Sequence, residues 1–399
     1  MTKIPNFLYL TAFVLLSGTL LAGCGGGVTD AATPASGHSS RPQTGLTASP
    51  PRLQRIHMMS AQDGWALSAT DLYHTQDGGQ SWTRMRALPL PSQRLMPVQW
   101  AFVDATEAVM VYSQRNGTIL QQETFNGGRS WIRRTIASPF GHVGGLPIPT
   151  QITFHTPQHG WLLIAPIQGM NSANGALLNT VNGGESWTVA VKNTTTYATP
   201  PLGRAAVQFT SVTRGWLVAS ATSTTPATLY RTNDAGTQWQ SEASWIRPDQ
   251  NNPLISPIQH GSQVLLPSIL TSRTGTVKGM TFWRSDTAGT TWMPNMQPVL
   301  PAMLNNEDHF VHPDFVSLTT GWAAGSHGLL HTTDAGRHWV SQTVNPKGIT
   351  LPTSARIQTI QFVSTRVGTV FVATPHFNRE WLLVTKDSGQ QWRIVFKKL

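Results

Sequence analysis

The segment from Asn305 to Asp314 (NNEDHFVHPD) gathers side chains that could bind a divalent metal. The possible ligands are Glu307, Asp308, His309, His312 and Asp314. A His-x-x-His pair with nearby carboxylates suits Zn²⁺, but no helical period places both imidazoles on one face. We therefore interpret the segment as a solvated loop between two repeats, and we expect neither a metal nor a cofactor.

Carboxylates that lie outside any repeated pattern are the candidates for catalysis. A glycosidase needs two of them facing a cleft, about 5–9.5 Å apart. The unassigned acids are Asp71, Glu107, Glu123, Glu242, Asp249, Glu307, Asp308, Asp314 and Glu380. They are scattered over different repeats, which leaves open only a pair that meets across a central channel. We expect no catalysis, and a carbohydrate-active enzyme or lectin is the alternative.

Cys24 is the only cysteine in the chain, and it follows an N-terminal apolar segment. This segment, residues 7–21, is preceded by Lys3, is short for a membrane span and is closed by small residues, as in a secretory signal. The residues Leu21-Ala22-Gly23-Cys24 resemble the bacterial lipoprotein signal, in which the cysteine is acylated. We expect residues 1–23 to be a signal peptide and a lipid on Cys24 to hold the protein at the outer face of the cytoplasmic membrane. A plain signal peptide and an uncleaved anchor are the alternatives.

Residues 24–50 are mostly Gly, Ser, Thr, Pro and Ala, with almost no bulky apolar side chains. Such a segment cannot bury enough surface to fold, so we expect a disordered tether with a mean reach of roughly 25–30 Å. The chain carries a formal net charge of +10. In an exported protein this charge favours anionic lipid headgroups or cell-envelope polymers over nucleic acid as partners.

One turn, Thr/Ser-x-Asp/Asn-x-Gly-x-x-Trp, recurs seven times, and its period of about 52 residues indicates a repeat architecture. The Asp or Asn position is occupied by Asp77, Asn126, Asn182, Asp234, Asp334 and Asp387. The Trp position is occupied by Trp82, Trp131, Trp187, Trp239, Trp292, Trp339 and Trp392. The acid or amide can accept backbone N–H groups, the Gly supplies a positive φ, and the Trp begins a strand. We assign these residues structural roles and expect no Ca²⁺ site, because one carboxylate per turn is too few.

A second repeated element, Phe-x-Ser/Thr-x-x-x-Gly-Trp, lies upstream of the turn and is clearest at Phe154, Phe209 and Phe315. Together the two elements predict four short strands per repeat, A to D, with the copied turn between C and D. Four-stranded sheets with two apolar faces are covered when they stack around a ring. The predicted fold of residues 51–399 is therefore an all-β, seven-bladed β-propeller with four-stranded antiparallel blades.

The copied turn resembles the Asp-box, or bacterial neuraminidase repeat. With the upstream Phe and Gly-Trp element, the pattern over residues ~52–399 resembles the seven-bladed photosystem II assembly and stability-factor family. That resemblance implies an exported, cofactor-free binding protein. The turn alone is shared with sialidases, sortilin-type receptors and xyloglucanases, so it is specific for architecture rather than activity. A sialidase would bring a Tyr nucleophile and an Arg-Ile-Pro strand, but no Arg-Ile-Pro occurs here and only Tyr197 lies in a predicted loop.

The fifth repeat departs from the pattern. Thr287 stands where the other turns have Asp or Asn, and Asp286 is displaced by one position. Upstream, Ile255, Pro257 and Ser262 align with the usual Phe, Ser/Thr and Trp. We interpret this blade as degenerate; the alternative is that it has been freed for another role.

Strand alternation places the A–B and C–D turns at one end of the ring and the longer B–C and D–A loops at the other. Loops outside a repeat are where binding residues concentrate. The candidate partner-binding residues there are Phe140, Tyr197, Trp245, Arg247, Phe377 and Arg379. We expect a monomer that engages a protein or an anionic envelope polymer; for Trp245 the alternative is packing between blades. Basic residues on strand D can be explained as protection of an open sheet edge or as an anion-binding rim.

Overall fold

Seven four-stranded antiparallel sheets build the protein, which we describe from a computed structural model. The described residues are 52–68, 71–85, 98–140, 146–166, 174–193, 200–219, 228–243, 257–271, 277–294, 311–325 and 328–398. Each sheet is formed by four strands that are consecutive in the chain, so we number the strands β1 to β28 and the sheets as blades 1 to 7. No helix in these ranges is long and apolar enough to cross a membrane.

The first four blades contain strands of two to eight residues. Blade 1 has β1 (Arg55–Met58), β2 (Gly64–Leu67), β3 (Leu72–Thr75) and β4 (Thr83–Arg84). Blade 2 has β5 (Gln99–Phe102), β6 (Ala108–Ser113), β7 (Ile119–Thr124) and β8 (Ile132–Ile136). Blade 3 has β9 (Pro147–Phe154), β10 (Gly160–Pro166), β11 (Gly175–Thr180) and β12 (Thr188–Asn193). Blade 4 has β13 (Ala205–Phe209), β14 (Gly215–Ala219), β15 (Thr228–Thr232) and β16 (Gln240–Ala243).

The last three blades follow the same order. Blade 5 has β17 (Ile258–His260), β18 (Gln263–Thr271), β19 (Val277–Ser285) and β20 (Met293–Pro294). Blade 6 has β21 (Val311–Phe315), β22 (Gly321–Ala324), β23 (Leu329–Thr332) and β24 (Val340–Gln342). Blade 7 has β25 (Arg356–Phe362), β26 (Gly368–Ala373), β27 (Glu380–Thr385) and β28 (Arg393–Lys398). Two single 3₁₀ turns span Leu202–Arg204 and Pro375–Phe377.

Seven apolar clusters lie between consecutive blades and close the ring. Between blades 6 and 7, for example, Trp322 and Leu329 pack with Ile360 and Val370. The last cluster joins the two ends of the chain, because Leu53 and Ile56 beside or on β1 pack with Phe371 and Leu382 of blade 7. The predicted seven-bladed, all-β propeller is confirmed.

The Trp of each copied turn packs toward the preceding blade. Trp82 joins the cluster shared with blade 7, and Trp392 joins the cluster shared with blade 6. The Trp of the Gly-Trp element packs toward the following blade. Trp161 stacks on Phe209 and Trp322 on Phe362, each with ring centroids 3.5 Å apart. Burial of one such side chain contributes about 4–6 kcal/mol before conformational entropy is counted.

Hydrogen bonds centred on one hydroxyl and one carboxylate fix the copied turn, as blade 6 shows. The Thr332 hydroxyl donates to Oδ1 of Asp334 (2.9 Å) and accepts the N–H of Gly336 (2.9 Å). Oδ1 of Asp334 also accepts the N–H of His338 at 2.9 Å. Equivalent bonds recur in the other five turns that carry Asp or Asn.

The residue before the Gly of each turn ties the turn to its own blade. In blade 6 the N–H of Ala335 donates to the carbonyl of Thr319 in the A–B turn at 2.9 Å. All seven blades have this bond, so the A–B and C–D turns lie together at one end of the ring, as predicted. The bond requires a left-handed backbone, which Ala335 adopts at φ 64 although it is not Gly.

Blade 5 keeps the turn despite its divergent sequence. The Ser285 hydroxyl accepts the N–H of Gly289 (2.8 Å), and the Thr287 hydroxyl accepts the N–H of Thr291 (2.9 Å) in place of a carboxylate. Asp286 instead pairs with Arg284 at 2.8 Å. The divergence therefore leaves the turn's geometry unchanged.

The alignment that placed Ile255, Pro257 and Ser262 at the repeated positions of blade 5 was wrong. Strand A is β17, and it turns into β18 through Gly261 and Ser262 alone. Leu265 of β18 occupies the place of the Gly-Trp indole. The A–B turn of blade 5 is shorter than that of the other blades, so the fixed spacing between Phe and Gly-Trp that the alignment assumed does not apply there.

We expect Asp334→Ala to lower the free energy of unfolding by about 1–3 kcal/mol, because the Thr332 hydroxyl and the His338 N–H lose their shared acceptor. Chemical denaturation monitored by Trp fluorescence measures this. Asp334→Asn is the matched control, since Asn126 and Asn182 perform the same role, and it should stay within about 0.5 kcal/mol of the parent. Equal losses in both variants would contradict the hydrogen-bond explanation.

Candidate functional site

The two ends of the ring differ in what they present. The short-turn end, formed by the A–B and C–D turns, repeats one hydrogen-bonded arrangement seven times. In the sequence, the B–C and D–A connections that form the long-loop end follow no common pattern. Of the residues predicted to bind a partner at that end, Tyr197, Trp245 and Arg247 lie outside the described residues. Cys24 and positions 305–310 of the possible metal-binding segment lie outside them as well.

Phe140 and Phe377, two predicted partner-binding residues, are half-buried. Phe140 packs against the cluster between blades 2 and 3. Phe377 packs against the cluster between blades 7 and 1, with its ring centroid 6.4 Å from that of Phe371. Both rings therefore contribute to the fold, which reduces the area that they offer to a partner.

Arg379 is exposed and is positioned by a tight connection between β26 and β27. Its N–H donates to the Thr374 hydroxyl and its carbonyl accepts the Thr374 N–H, both at 3.0 Å. His376 and Phe377 adopt left-handed backbone conformations within this connection, at φ 61 and φ 55. Two consecutive non-Gly residues in this region are strained. The guanidinium of Arg379 is thus presented at the long-loop end by an ordered, strained loop.

Side chains from one blade cap the open edge of the innermost strand in the next blade. Gln361 accepts the N–H of Met58 (2.7 Å) and donates to its carbonyl (2.6 Å). Gln151 makes the same two bonds to Val207, at 2.9 and 2.8 Å. A carboxamide therefore mimics a paired strand and satisfies backbone groups that face the channel.

Asp314 occupies the position of Gln361 in the preceding blade and accepts the N–H of Phe362. Unlike an amide, an ionised carboxylate has no hydrogen to donate. Burial raises the pKa of Asp314 to about 7 despite this hydrogen bond, because the apolar surroundings disfavour the charge. We therefore place Asp314, one of the unassigned acids, in ring closure.

Two further unassigned acids are buried at blade contacts. Burial raises the pKa of Glu380 to about 7, although the N–H of Leu53 donates to its Oε2 at 2.9 Å. Burial, together with the nearby carboxylates of Asp104 and Glu123, raises the pKa of Glu107 to about 7. With Asp314, these acids lie at three different contacts, 6–7, 7–1 and 2–3, rather than as one pair around a cleft.

A buried polar network replaces part of the apolar core between blades 2 and 3. Oε1 of Glu123 accepts from Nε of Arg134 at 2.7 Å, and its Oε2 accepts from the Gln121 amide at 2.6 Å. The Gln121 amide also donates to the carbonyl of Gly184 and accepts from the Trp187 indole. The sequence analysis does not single out Gln121. The available signal is that the equivalent strand C position in the other blades is Leu or Phe.

The described residues contain no group of three His, Cys, Asp or Glu side chains placed to bind a metal. A cleft of about 50 Å³ lies between blades 5 and 6 and is lined by Val264, Leu318 and Thr319, among others. Pockets that hold small ligands usually have about 300–1,000 Å³. This cleft is therefore too small to hold such a ligand.

Two of the cations on the outer strands are paired with neighbouring acids. Arg84 pairs with Asp71 at 2.6 Å, and Arg134 with Glu123 at 2.7 Å. At these two positions the pairs agree with protection of an open sheet edge.

The fold and its repeated turns thus define a seven-bladed β-propeller with four-stranded blades, and comparison with known proteins agrees. No family model and no curated protein matches the chain. Among solved structures it is similar to YCF48 bound to a D1 peptide, with 17% identity, a TM-score of 0.53, and coverage of 85% of this chain and 94% of the other.

Two enzymes also share the fold. The GH74 xyloglucanase from Xanthomonas campestris gives 15% identity, a TM-score of 0.57, and coverage of 87% of this chain and 55% of the other. A prolyl endopeptidase structure gives 9% identity, a TM-score of 0.53, and coverage of 87% and 50%. The chain therefore spans about half the length of each enzyme. At these identities the similarity concerns the fold alone.

We expect Asp314→Asn to raise stability above pH 7 and to flatten its pH dependence. A carboxyl whose pKa is raised on folding contributes stability that is fully present below about pH 4 and is lost as the pH rises through about 7. Asn is uncharged and can donate as Gln361 does, so the gain at pH 8 should be about 1–3 kcal/mol.

Denaturation of parent and variant from pH 4 to pH 8 measures the difference between them. Glu107 and Glu380 titrate in the same window, so the parent's slope should decrease without vanishing. A variant that is less stable than the parent at pH 8 would show that the ionised carboxylate is needed.

Proposed function

We propose that this protein is a non-catalytic cell-envelope binding protein that engages a macromolecular partner through its long-loop end. The observation that carries the proposal is the contrast between the ends: seven turns with equivalent hydrogen bonds occupy one, and connections whose sequences follow no common pattern occupy the other. A repeated surface is explained by the fold, whereas surfaces that escape a repeat are available for recognition.

The positions of the buried acidic side chains support binding rather than catalysis. Asp314, Glu380 and Glu123 are buried, and each is engaged by hydrogen bonds within the ring. Catalytic carboxylates of a glycosidase must face a shared substrate, whereas these lie at separate blade contacts. Propellers of both kinds share the fold, so this argument depends on the chain's own residues.

Binding of a polypeptide is one mode that the fold comparison supports. YCF48, which shares this architecture, is bound to a D1 peptide, so a propeller of this kind can present a peptide-binding surface. The family resemblance implies an assembly role at a membrane complex, and we include that role as one form of the proposed binding. An anionic envelope polymer is the alternative partner for the same end.

Acylation of Cys24 would keep this surface close to the membrane, with residues 25–50 as a tether. We expect Cys24→Ser to move the protein from the membrane fraction to the soluble fraction of fractionated cells. Mass spectrometry of the parent's N-terminal peptide provides the control, since it should show the acyl chains. Retention of the variant in the membrane together with an unmodified cysteine would contradict anchoring by lipid.

The partner-binding prediction is tested by Trp245→Ala combined with Arg247→Ala. We expect this double variant to lose at least tenfold in capture of partner proteins from solubilised envelope, because Trp and Arg commonly anchor interfaces. The matched control is Phe125→Ala with Arg129→Ala, an exposed aromatic and an exposed arginine at the short-turn end. Capture should be unchanged in the control, and both melting temperatures should stay near that of the parent.

Equal capture by both double variants would contradict binding at the long-loop end. Unfolding of the Trp245/Arg247 variant would show that these side chains pack between blades. Titration with oligosaccharides separates the alternative class, because hydrolysis or saturable binding would favour a carbohydrate-active enzyme or lectin.

A further inference from the structure

Three cations gather where blade 7 meets blade 1 at the long-loop end. The N–H of Leu53 donates to Oε2 of Glu380, which brings the adjacent Arg52 to this corner. Lys398 lies directly opposite Glu380 across β27 and β28, and Arg379 precedes Glu380 in the chain. We call Arg52, Arg379 and Lys398 the basic corner.

The acid inside the basic corner is hidden from solvent. Glu380 is 0% exposed, whereas Arg52 and Arg379 are exposed and Lys398 is partly exposed. Lys397, exposed on the outer strand, lies beside them. The surface at this corner therefore carries positive charge that no exposed carboxylate in the described part of blades 7 and 1 offsets; Asp71, the nearest other acid at this end, is paired with Arg84.

The opposite end of the ring carries charges of both signs. The copied turns place Asp77, Asp234, Asp334 and Asp387 at the short-turn end, where their hydrogen bonds, working against the effect of burial, keep each pKa below its usual value. Asp63 and Asp104, which belong to A–B turns, lie there too. Among the described residues, the short-turn end thus mixes carboxylates with exposed cations such as Arg129, Arg337 and Arg366, whereas the basic corner holds cations without an exposed carboxylate.

We propose that the basic corner lies against an anionic lipid bilayer and sets the orientation of the propeller on it. A bilayer is favoured over a soluble polyanion because of where the chain enters the ring. Residues 1–51 lead directly into Arg52, so the N-terminal segment joins the ring at the basic corner. If the proposed lipid on Cys24 is present, a tether with a mean reach of roughly 25–30 Å holds this corner near the headgroups.

The chemistry is ion pairing with phosphate headgroups, to which Arg and Lys both donate. Each Lys or Arg near an anionic bilayer strengthens binding by roughly fivefold at moderate salt, and the attraction falls within a Debye length. Three cations at one corner should therefore give a partition that is roughly a hundredfold stronger than without them and is sensitive to salt. The short-turn end, with its turn carboxylates, then points away from the bilayer.

Sedimentation with lipid vesicles tests the proposal. The full chain carrying Cys24→Ser is mixed with phosphatidylcholine vesicles, with or without 30% phosphatidylglycerol, at 0.1 and 0.5 M salt. The test variant adds Arg52→Gln, Arg379→Gln and Lys398→Gln. The matched control instead adds Arg129→Gln, Arg337→Gln and Arg366→Gln, the same charge change at the short-turn end. All proteins share one N-terminal sequence, so residues 7–21 contribute equally.

We expect the test variant to lose roughly 50- to 100-fold in partition to the anionic vesicles, and the control to stay within twofold of the parent. Equal losses in both variants would reduce the effect to net charge and overturn the proposal. If the test variant partitions to the anionic vesicles as well as the parent does, the proposal is overturned too. It is also overturned if the parent binds soluble polyphosphate as tightly as it binds the vesicles, since the anion source would then be a polymer.

Melting temperatures show whether the variants fold. If the triple variant unfolds, Arg379→Gln alone should still lose about fivefold, and a change below twofold would contradict the proposal. The assay contains no protein partner, so its outcome is separate from that of the capture experiment.

Discussion

A four-stranded sheet whose two faces are both apolar is buried only if another sheet covers each face, and this requirement governs the whole molecule. Each blade supplies Trp side chains to the contact with one or both of its neighbouring blades. Together these indoles fill the space between the sheets. The stack has no free apolar end only when the seventh blade meets the first. The turns, the left-handed residues in them and the strand lengths all serve to hold each indole in phase.

The sequence predicts the parts of the fold that recur, because recurrence distinguishes a structural residue from an incidental one. Asp334 and Trp339 recur at fixed positions of the repeat, so the sequence alone predicts structural roles for them. Blade 5 could not be aligned correctly, since losing part of one turn shifts every later position. The hydrogen bonds of Gln361 and Asp314 between blades could not be predicted for another reason. Their partners are backbone groups of another blade, and backbone groups leave no pattern in the sequence.

The candidate site was predicted less well than the fold. Phe140 and Phe377 were chosen as aromatic residues outside the repeat, but a half-buried ring in a loop serves the core as readily as it serves a partner. Gln121 illustrates the converse, because a polar residue at a core position can be recognised only once the other blades supply the expectation. Exposure and packing depend on neighbours that are distant in the chain, so residue type alone could not decide between them.

Every blade is made from one uninterrupted stretch of chain, so the ring has a seam. No strand of blade 1 inserts into blade 7 among the described residues; side-chain packing, the two Gln361 bonds and the link from Leu53 to Glu380 hold the two blades together. Any tension along the N-terminal segment is delivered to that joint before it reaches another blade. Under force, a protein tethered in this way would open first at the contact between blades 7 and 1, with its remaining six contacts intact.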